Sequence, residues 1–488
     1  MGKLCKFALF EYIENLWYTM SMLALKELDT RRLNRISSVG NKHKEKFAQY
    51  LTPVEIASFM ANLTMRYFQP ADVVNILDPG AGTGILSCSL ITELNRKNNV
   101  TINLDAYEID KSILNELEHS YKTIKSTENF KFQIFDKNFI TDIGSDIAWG
   151  VNKKYDIIIM NPPYQKINTN TVYKNVLHDI SIDTVNTYSA FIAIGIKMLA
   201  DNGILTAIVP RSFCNGLYFL PFRRLLYNAT AIKHLHIFES RKDNFKDENV
   251  LQENIIIVLK KTADKSGNIT ISYSKEKQFS GFLEKNVTFD DVIDTNDDQY
   301  FISIPNYNNK NEDVPLTHTH KELGFEISTG PVVDFRIKEK LRYDTSGIPL
   351  LYTVHIRNRK ITWPVVSKKP NAIFFNEHEK AKICFKKGYY VLLKRFSSKE
   401  EKHRIQATLL TPDDLPTEYF TVENHLNIIH NNKCGLDKDL ATNLVEYLNS
   451  DYCDAIFRTF SGHTQVNATD LRNMKYPDIK TIKSGVFS

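Results

Sequence analysis

Asn75-Ile76-Leu77-Asp78-Pro79-Gly80-Ala81-Gly82-Thr83-Gly84-Ile85-Leu86 reads as a short apolar run, a turn with glycine at alternate positions and the start of a helix. Open α/β sheets hold nucleotides in this way. The glycines let the backbone pass close to a ligand, and the helix that follows presents free N–H groups at the carboxyl edge of the sheet. Alone, such a turn is equally well a plain strand-to-helix connection. Its surroundings add weight. From about Asn75 to Lys261, apolar β-rich runs alternate with helical patterns, the runs being Asn75–Asp78, Leu104–Ile109, Phe130–Asp136, Tyr155–Asn161, Gly203–Pro210, Ile232–Phe238 and Asn254–Leu259. Their continuous hydrophobicity fits strands buried on both faces, so the expected fold is α/β: a mostly parallel sheet with helices on both sides.

The 488 residues, 42% hydrophobic and 24% charged, exceed what one core usually organises, and two domains are expected. With 62 Lys and Arg against 57 Asp and Glu, attraction to a polyanion must come from local patches. The six cysteines form no C-x-x-C pair and have no histidine at finger spacing, which argues against a zinc site or a disulfide framework, and no metal is expected. A reducing cytoplasm is the natural setting. The opening MGKLCKFALFEYIENLWYTM is interrupted by Glu11 and Glu14 and reads as an amphipathic helix rather than a signal. No run reaches the roughly 18 apolar residues of a membrane span. Arg31 to Lys46 is basic and polar and reads as an arm or solvated connector. From about Ala263 the alternation fades, and a separate mixed α/β domain is expected.

Two further acidic positions follow the glycine turn. Asp105-Ala106-Tyr107-Glu108-Ile109-Asp110 ends the next strand about 25 residues on, where a carboxylate can accept from both hydroxyls of a ribose. Glu108 is the candidate, with Ile109 packing on an adenine ring. Phe135-Asp136 ends the third strand, placing Asp136 where it could accept from an adenine amino group. Each carboxylate alone is an ordinary strand end or cap; the recurrence at successive strand ends is what carries meaning.

DPGAGTG, the acidic second strand end and Asp136 together resemble the Rossmann-like fold of methyltransferases that use S-adenosylmethionine (AdoMet). Leu51-Thr52-Pro53-Val54-Glu55-Ile56-Ala57 resembles the additional motif that gamma-class DNA amino-methyltransferases carry ahead of the glycine turn. In that family the motif touches the methionine end of the cofactor, which implies a role for Thr52. The same residues also read as a helix start, with Thr52 as cap and Pro53 in the first turn, and both roles can hold. The resemblance implies AdoMet contacts from Thr52, Asp78, Pro79, Gly80, Gly82, Gly84, Glu108, Ile109, Asp136 and Asn161.

Tyr155-Asp156-Ile157-Ile158-Ile159-Met160-Asn161-Pro162-Pro163-Tyr164 is the most specific signal: a buried strand ending in Asn-Pro-Pro-Tyr, about 80 residues after the glycine turn. It resembles the catalytic motif of amino-methyltransferases, and the chemistry explains the residue types. An exocyclic amine on an aromatic base is a poor nucleophile because its lone pair is delocalised. Two acceptors, the Asn161 side-chain oxygen and the Pro162 carbonyl, can hold both amine hydrogens and turn the lone pair towards the methyl group, a catalysis of positioning and electrostatics. Pro162 and Pro163 stiffen the loop, and Tyr164 offers a face for stacking on an extruded base. The family often has a second aromatic near the last strands. Here Asn249-Val250-Leu251-Gln252-Glu253-Asn254 carries none, and Phe245 is the substitute considered.

The resemblance is specific over residues 49 to 262. It implies an N-terminal helical arm (1–48), an AdoMet-binding catalytic domain (49–262) and a C-terminal target-recognition domain (263–488). In the latter, cations mixed with aromatics suit phosphate and base-edge contacts, and Arg357, Arg359, Lys394 and Arg395 are the candidate DNA-binding residues. Ser328–Arg336 and Ser461–Leu471 look like segments recurring in type II restriction-modification methyltransferases. The implied activity is transfer of a methyl group to N6 of adenine in a short duplex sequence, by a cytoplasmic monomer whose cognate restriction endonuclease is a separate protein. Cytosine N4, RNA and protein amines are the competing substrates. Asn161 with Thr52-Pro53 favours adenine, and the large trailing domain favours DNA. A non-catalytic specificity protein would not need Asp78, Glu108, Asp136 and Asn161 together.

Overall fold

The computed structural model describes residues 22–37, 51–97, 100–124, 129–151, 153–168, 171–238, 254–274, 279–293, 298–304, 314, 316–397, 401–460, 465–484 and 487. The opening segment, Phe245 and Asn249–Glu253 lie outside them. All seven expected runs form strands: β1 (Val73–Pro79), β2 (Thr101–Tyr107), β3 (Phe130–Phe135), β4 (Tyr155–Met160), β5 (Leu199–Pro210), β6 (Ala231–Phe238) and β7 (Asn254–Lys260). With β8 (Ile269–Ser274) and β9 (Leu283–Val287) they make a nine-stranded sheet in the order β3-β2-β1-β4-β5-β7-β6-β8-β9. β1 to β5 are parallel, and β7 runs antiparallel between β5 and β6. The strand order reverses at β1, between β2 and β4, and there a crevice opens at the carboxyl ends of a parallel sheet.

Helices cover both faces. α1 (residues 22–37), α2 (Val54–Tyr67), α3 (Ile85–Lys97) and α4 (Leu114–Ile124) share a core with Val74 and Ile76 of β1 and Ile157 and Ile159 of β4. α5 (Phe139–Ala148), α6 (Val172–Asp179), α7 (Thr187–Met198) and α8 (Leu220–Ala229) lie on the other side. α7 sits so close to the sheet that a Cβ on Gly195 would stand 2.9 Å from Leu205.

The first compact unit runs from Met1 to Ser303, past the boundary expected at residue 262, because β8 pairs with β6 and β9 with β8. The described part of the expected arm, residues 1–48, is the helix α1. α1 buries Leu25, Leu28 and Arg32 at 1%, 2% and 2% exposure, so Arg31 to Ser37 is not a solvated connector.

The second unit, Ile304–Ser488, is mixed α/β, as expected. A four-stranded sheet (Glu326–Thr329, Leu426–His430, Tyr390–Lys394, Ala407–Leu410) shares a core with the helices Lys438–Asn449 and Asp451–Phe460. A five-stranded sheet is built from strands of two to four residues, and Ile356–Arg357 with Lys360–Ile361 form a separate hairpin. Among the described residues no helix is long and apolar enough to cross a membrane.

Candidate active site

β1 delivers the chain to the glycine turn, where Gly80, Gly82 and Gly84 take φ values of +77°, +57° and +78°, a region that penalises any Cβ. At Gly84 space forbids one as well, since it would meet Leu117 at 2.8 Å and Tyr121 at 2.9 Å. The turn is tied to the next strand end. The Gly82 N–H donates to Glu108 Oε2 (2.8 Å), and the Asp110 N–H donates to Oε1 (2.7 Å). Both carboxylate oxygens are thereby fixed, each with lone-pair capacity remaining. Burial raises the Glu108 carboxyl above the usual carboxylate range, against these backbone donors, which lower it.

A cavity of about 280 Å³ opens here. Gly80, Gly82, Glu108 and the half-exposed Ile109 line it, joined by Leu51 and Thr52 from the segment before α2. Its size approaches the lower end of small-molecule pockets, roughly 300 Å³. Asn161 and Pro163 also line it, from the loop after β4.

Some expected residues are not in the lining. Asp78 is fully buried beneath the turn, where it accepts from Ser87 Oγ at 2.7 Å, and Ser87 in turn meets the Tyr121 hydroxyl at 3.0 Å. Burial, opposed by the Ser87 bond and aided by Glu108, pushes Asp78 up to about 7. It supports the turn rather than facing the cavity, and Pro79 and Gly84 likewise do not line it. Asp136 does not line it either. It is 37% exposed and pairs with Lys111 at 3.0 Å, while Asn138 lines the cavity two residues later. β3 ends at Phe135, and the chain turns into α5 with Asn138 as its cap, accepting from the Thr141 N–H (3.2 Å) and donating to Tyr173 Oη (2.7 Å). That turn aims Asn138 and Phe139 inward.

The loop after β4 is held at several points. Asn161 Nδ2 donates to Thr52 Oγ1 (3.0 Å), and the Tyr164 hydroxyl lies 2.8 Å from Asn161 Oδ1 and 3.1 Å from the Ile208 carbonyl on β5. From α7, Thr187 Oγ1 donates to the Pro163 carbonyl and receives the Gln165 N–H at 3.0 Å. Pro162 is buried and does not line the cavity; nor does Tyr164, whose ring meets Tyr188 edge to face at 6.2 Å. Thr187 and Phe191 line the cavity one helical turn apart, a spacing that could have marked them had that helix not read as plain core.

The cavity suits an adenosyl cofactor on its own evidence: an anchored carboxylate for a diol, Ile109 and Phe139 for a ring, and a hydroxyl with an amide at the Thr52–Asn161 end.

In the second unit the candidate cations divide. Arg357 and Arg359 are exposed on the hairpin, whose turn residues Asn358 and Arg359 have φ of +50° and +58°. Lys394 is half-buried at a strand end, and Arg395 is spent on structure, donating to the Asn424 carbonyl at 3.2 Å and to Gln465 at 3.4 Å. The Ser328 and Ser461 segments prove to be joined to each other. Thr329 donates to Asn427 Oδ1 (3.1 Å), and Asn427 donates to the Val466 carbonyl (2.7 Å). Ser461–Thr464 lie outside the described residues.

The Eco57I restriction-modification methylase family matches residues 32–245. Type II methyltransferase M.BsuBI of Bacillus subtilis is 40% identical, over 89% of this chain and 88% of its own length. Type II methyltransferase M.PstI of Providencia stuartii is 34% identical, over 92% and 90%. Among solved structures, the type IIL restriction-modification enzyme MmeI in complex with DNA is similar at a TM-score of 0.49 and 12% identity, covering 95% of this chain and 68% of that one. Methyltransferases of this family use S-adenosylmethionine. The chain belongs to the type II DNA methyltransferases of restriction-modification systems.

Proposed function

We propose that this enzyme methylates N6 of adenine within a short duplex recognition sequence, in the manner the gamma-class resemblance implies. The observation that carries the reading is the Asn161 amide. Its nitrogen is committed to Thr52 and its oxygen is presented at the cavity that Glu108 anchors. With Nδ2 placed on Thr52 Oγ1, the amide offers its oxygen, an acceptor, to an incoming amine. The bound cofactor supplies an electrophilic methyl group. Glu108 takes the ribose hydroxyls, Ile109 and Phe139 sandwich the adenine, and Asn138 takes the amino-group role expected of Asp136. Asn161 Oδ1, with the Pro162 carbonyl, holds the target amine, and Tyr164 stiffens the loop through its hydroxyl bond and stacks on the extruded base.

Arg357 and Arg359 make the DNA contacts, at a hairpin tip exposed enough to reach a groove. Lys394 and Arg395 are left to the scaffold. The enzyme acts as a monomer in the cytoplasm and protects DNA from a separate endonuclease with the same target. The test is to incubate the protein and its Asn161→Ala variant with AdoMet and unmethylated genomic DNA, then identify methylated nucleosides by mass spectrometry. N6-methyladenine from the parent alone is expected. N4-methylcytosine, or no methylated nucleoside, would refute the adenine assignment.

A further inference from the structure

α1 carries its buried positions at helical spacing: Leu25, Leu28, Arg32 and Arg35 fall on one face, while Leu23 and Leu33 are exposed at 60% and 42%. The first half of that face is apolar and enters the core. The second half is cationic and reaches Leu51 in one wall of the cofactor cavity and Asp110, directly behind Glu108, in the other.

Towards the first wall, Arg32 donates from Nε to Asp29 (2.6 Å) and from Nη1 to the Leu51 carbonyl (3.2 Å). Asp29 in turn accepts from the Val54 N–H (3.2 Å) at the start of α2. Pro53, the cap residue of α2, provides no side-chain cap, so Asp29 supplies one from another helix. Leu51 and Thr52, between these two anchors, line the cavity, and Thr52 holds the Asn161 amide. Towards the second wall, Arg35 Nη2 donates to Asp110 Oδ2 (3.1 Å) and to Ser112 Oγ (2.7 Å). The Asp110 N–H holds Glu108 Oε1, and Glu108 Oε2 holds the glycine turn. The two walls touch, since a Cβ on Gly82 would stand 3.1 Å from Leu51.

We propose that α1 is a strap across the cofactor cavity, with Arg32 and Arg35 as positioning residues that set the Thr52–Asn161 wall and the Glu108 wall in register. The strap rests on the AdoMet reading given above. Arg32, at 2% exposure, and Arg35, whose side chain is 13% exposed, lose little to solvent screening. Because α1 touches both walls, cofactor binding and α1 docking favour each other reciprocally.

The test uses the full-length protein. AdoMet affinity is measured by titration calorimetry for the parent, Arg35→Ala, Arg35→Lys and Arg66→Ala, the last removing an ion pair to Glu284 that does not reach the cavity. Hydrogen exchange over residues 22–37 is followed with and without saturating AdoMet. Arg35→Ala is expected to weaken AdoMet about tenfold and Arg35→Lys by less, while Arg66→Ala and kcat at saturating AdoMet stay within about twofold. AdoMet should slow exchange in α1 of the parent and not of Arg35→Ala. If Arg35→Ala does not fold, Asp110→Asn, which removes the partner charge, replaces it with the same expectation. Equal affinity in parent and variant, with α1 exchange indifferent to AdoMet, would overturn the strap alone. A parent that binds no AdoMet would overturn the functional reading and the strap with it.

Discussion

The two units of this chain are held together by different means. In the first, β4 and β7 are buried along nearly their whole length, and helices close over both faces of the sheet. In the second, strands of two to five residues are tied by side chains that bond to the backbone. Asn371 donates to the carbonyls of Tyr343 (2.8 Å) and Val365 (3.1 Å), and Asn427 fastens the Val466 segment. A sheet buried on both faces leaves its cofactor crevice to the strand ends, so the chemistry sits at fixed places. A unit assembled from short strands presents turns and hairpins instead, which suits variable recognition.

The proposed division of labour can be broken experimentally. The largest effect is expected at Glu108. Replacing it with alanine removes hydrogen bonds to a charged group, about 1.5 to 3 kcal/mol each, so AdoMet affinity should fall about 100-fold while DNA affinity by mobility shift is unchanged. Loss of DNA binding in the same variant would show that the two tasks are not separable. Next is Gly84→Ala, which combines a φ of +78° with a contact at 2.8 Å to Leu117 and should cost about 2 to 3 kcal/mol in thermal or urea unfolding. A neutral outcome would mean the turn relaxes freely.

The converse substitution is Arg357→Ala with Arg359→Ala. It should weaken DNA binding about tenfold, reduce the salt dependence by about two counterions and leave AdoMet binding intact. Substituting Arg395 should lower stability instead, because its guanidinium is bonded to Asn424 and Gln465.

Which of these features could be read in advance follows from the same contrast. Strands β4 and β7 announce themselves because double-sided burial demands unbroken apolar runs, whereas the edge strand β3 alternates Lys131 and Gln133 with apolar residues; Gly80, Glu108 and Asn161 stand at or just past strand ends. Asp136 and Asn138 are two residues apart, and only the helix cap geometry decides which one faces the cavity. The strap was hidden for a different reason. Arg32 and Arg35 look solvated in a basic stretch, and their partners lie 19 and 75 residues away. Past residue 262, β9 is only half-buried and reads as polar, and the buried β8 alternates Ile269 and Ile271 with Thr270 and Ser272.

A smaller effect concerns pH, and its sign differs between two buried groups of the first unit. His234 and His236 are hydrogen-bonded to Ser272 and, by burial, pushed down to about 4 and about 3. Below the ordinary value of 6.5 the unfolded chain takes up protons that the folded chain refuses, so their contribution is full above 6.5 and fades as pH falls towards 4 and 3. Asp78, raised to about 7, acts oppositely: its contribution is full below about 4 and is lost as pH rises through about 7. Thermal stability should therefore rise less steeply between about pH 3 and 6.5 in His236→Gln, and fall less steeply between about pH 4 and 7 in Asp78→Asn. Parallel profiles in all three proteins would contradict both assignments.

The central proposal is that Asn161 holds the target amine, in addition to lining the cofactor cavity. The direct measurement is a single-turnover assay with radiolabelled AdoMet on DNA containing the target, run beside equilibrium AdoMet binding, for the parent and Asn161→Ala. Losing an acceptor at the reacting centre should slow methyl transfer about 100- to 1,000-fold, with AdoMet affinity changed by no more than about threefold. A variant that transfers at the parental rate once saturated with AdoMet would contradict the account.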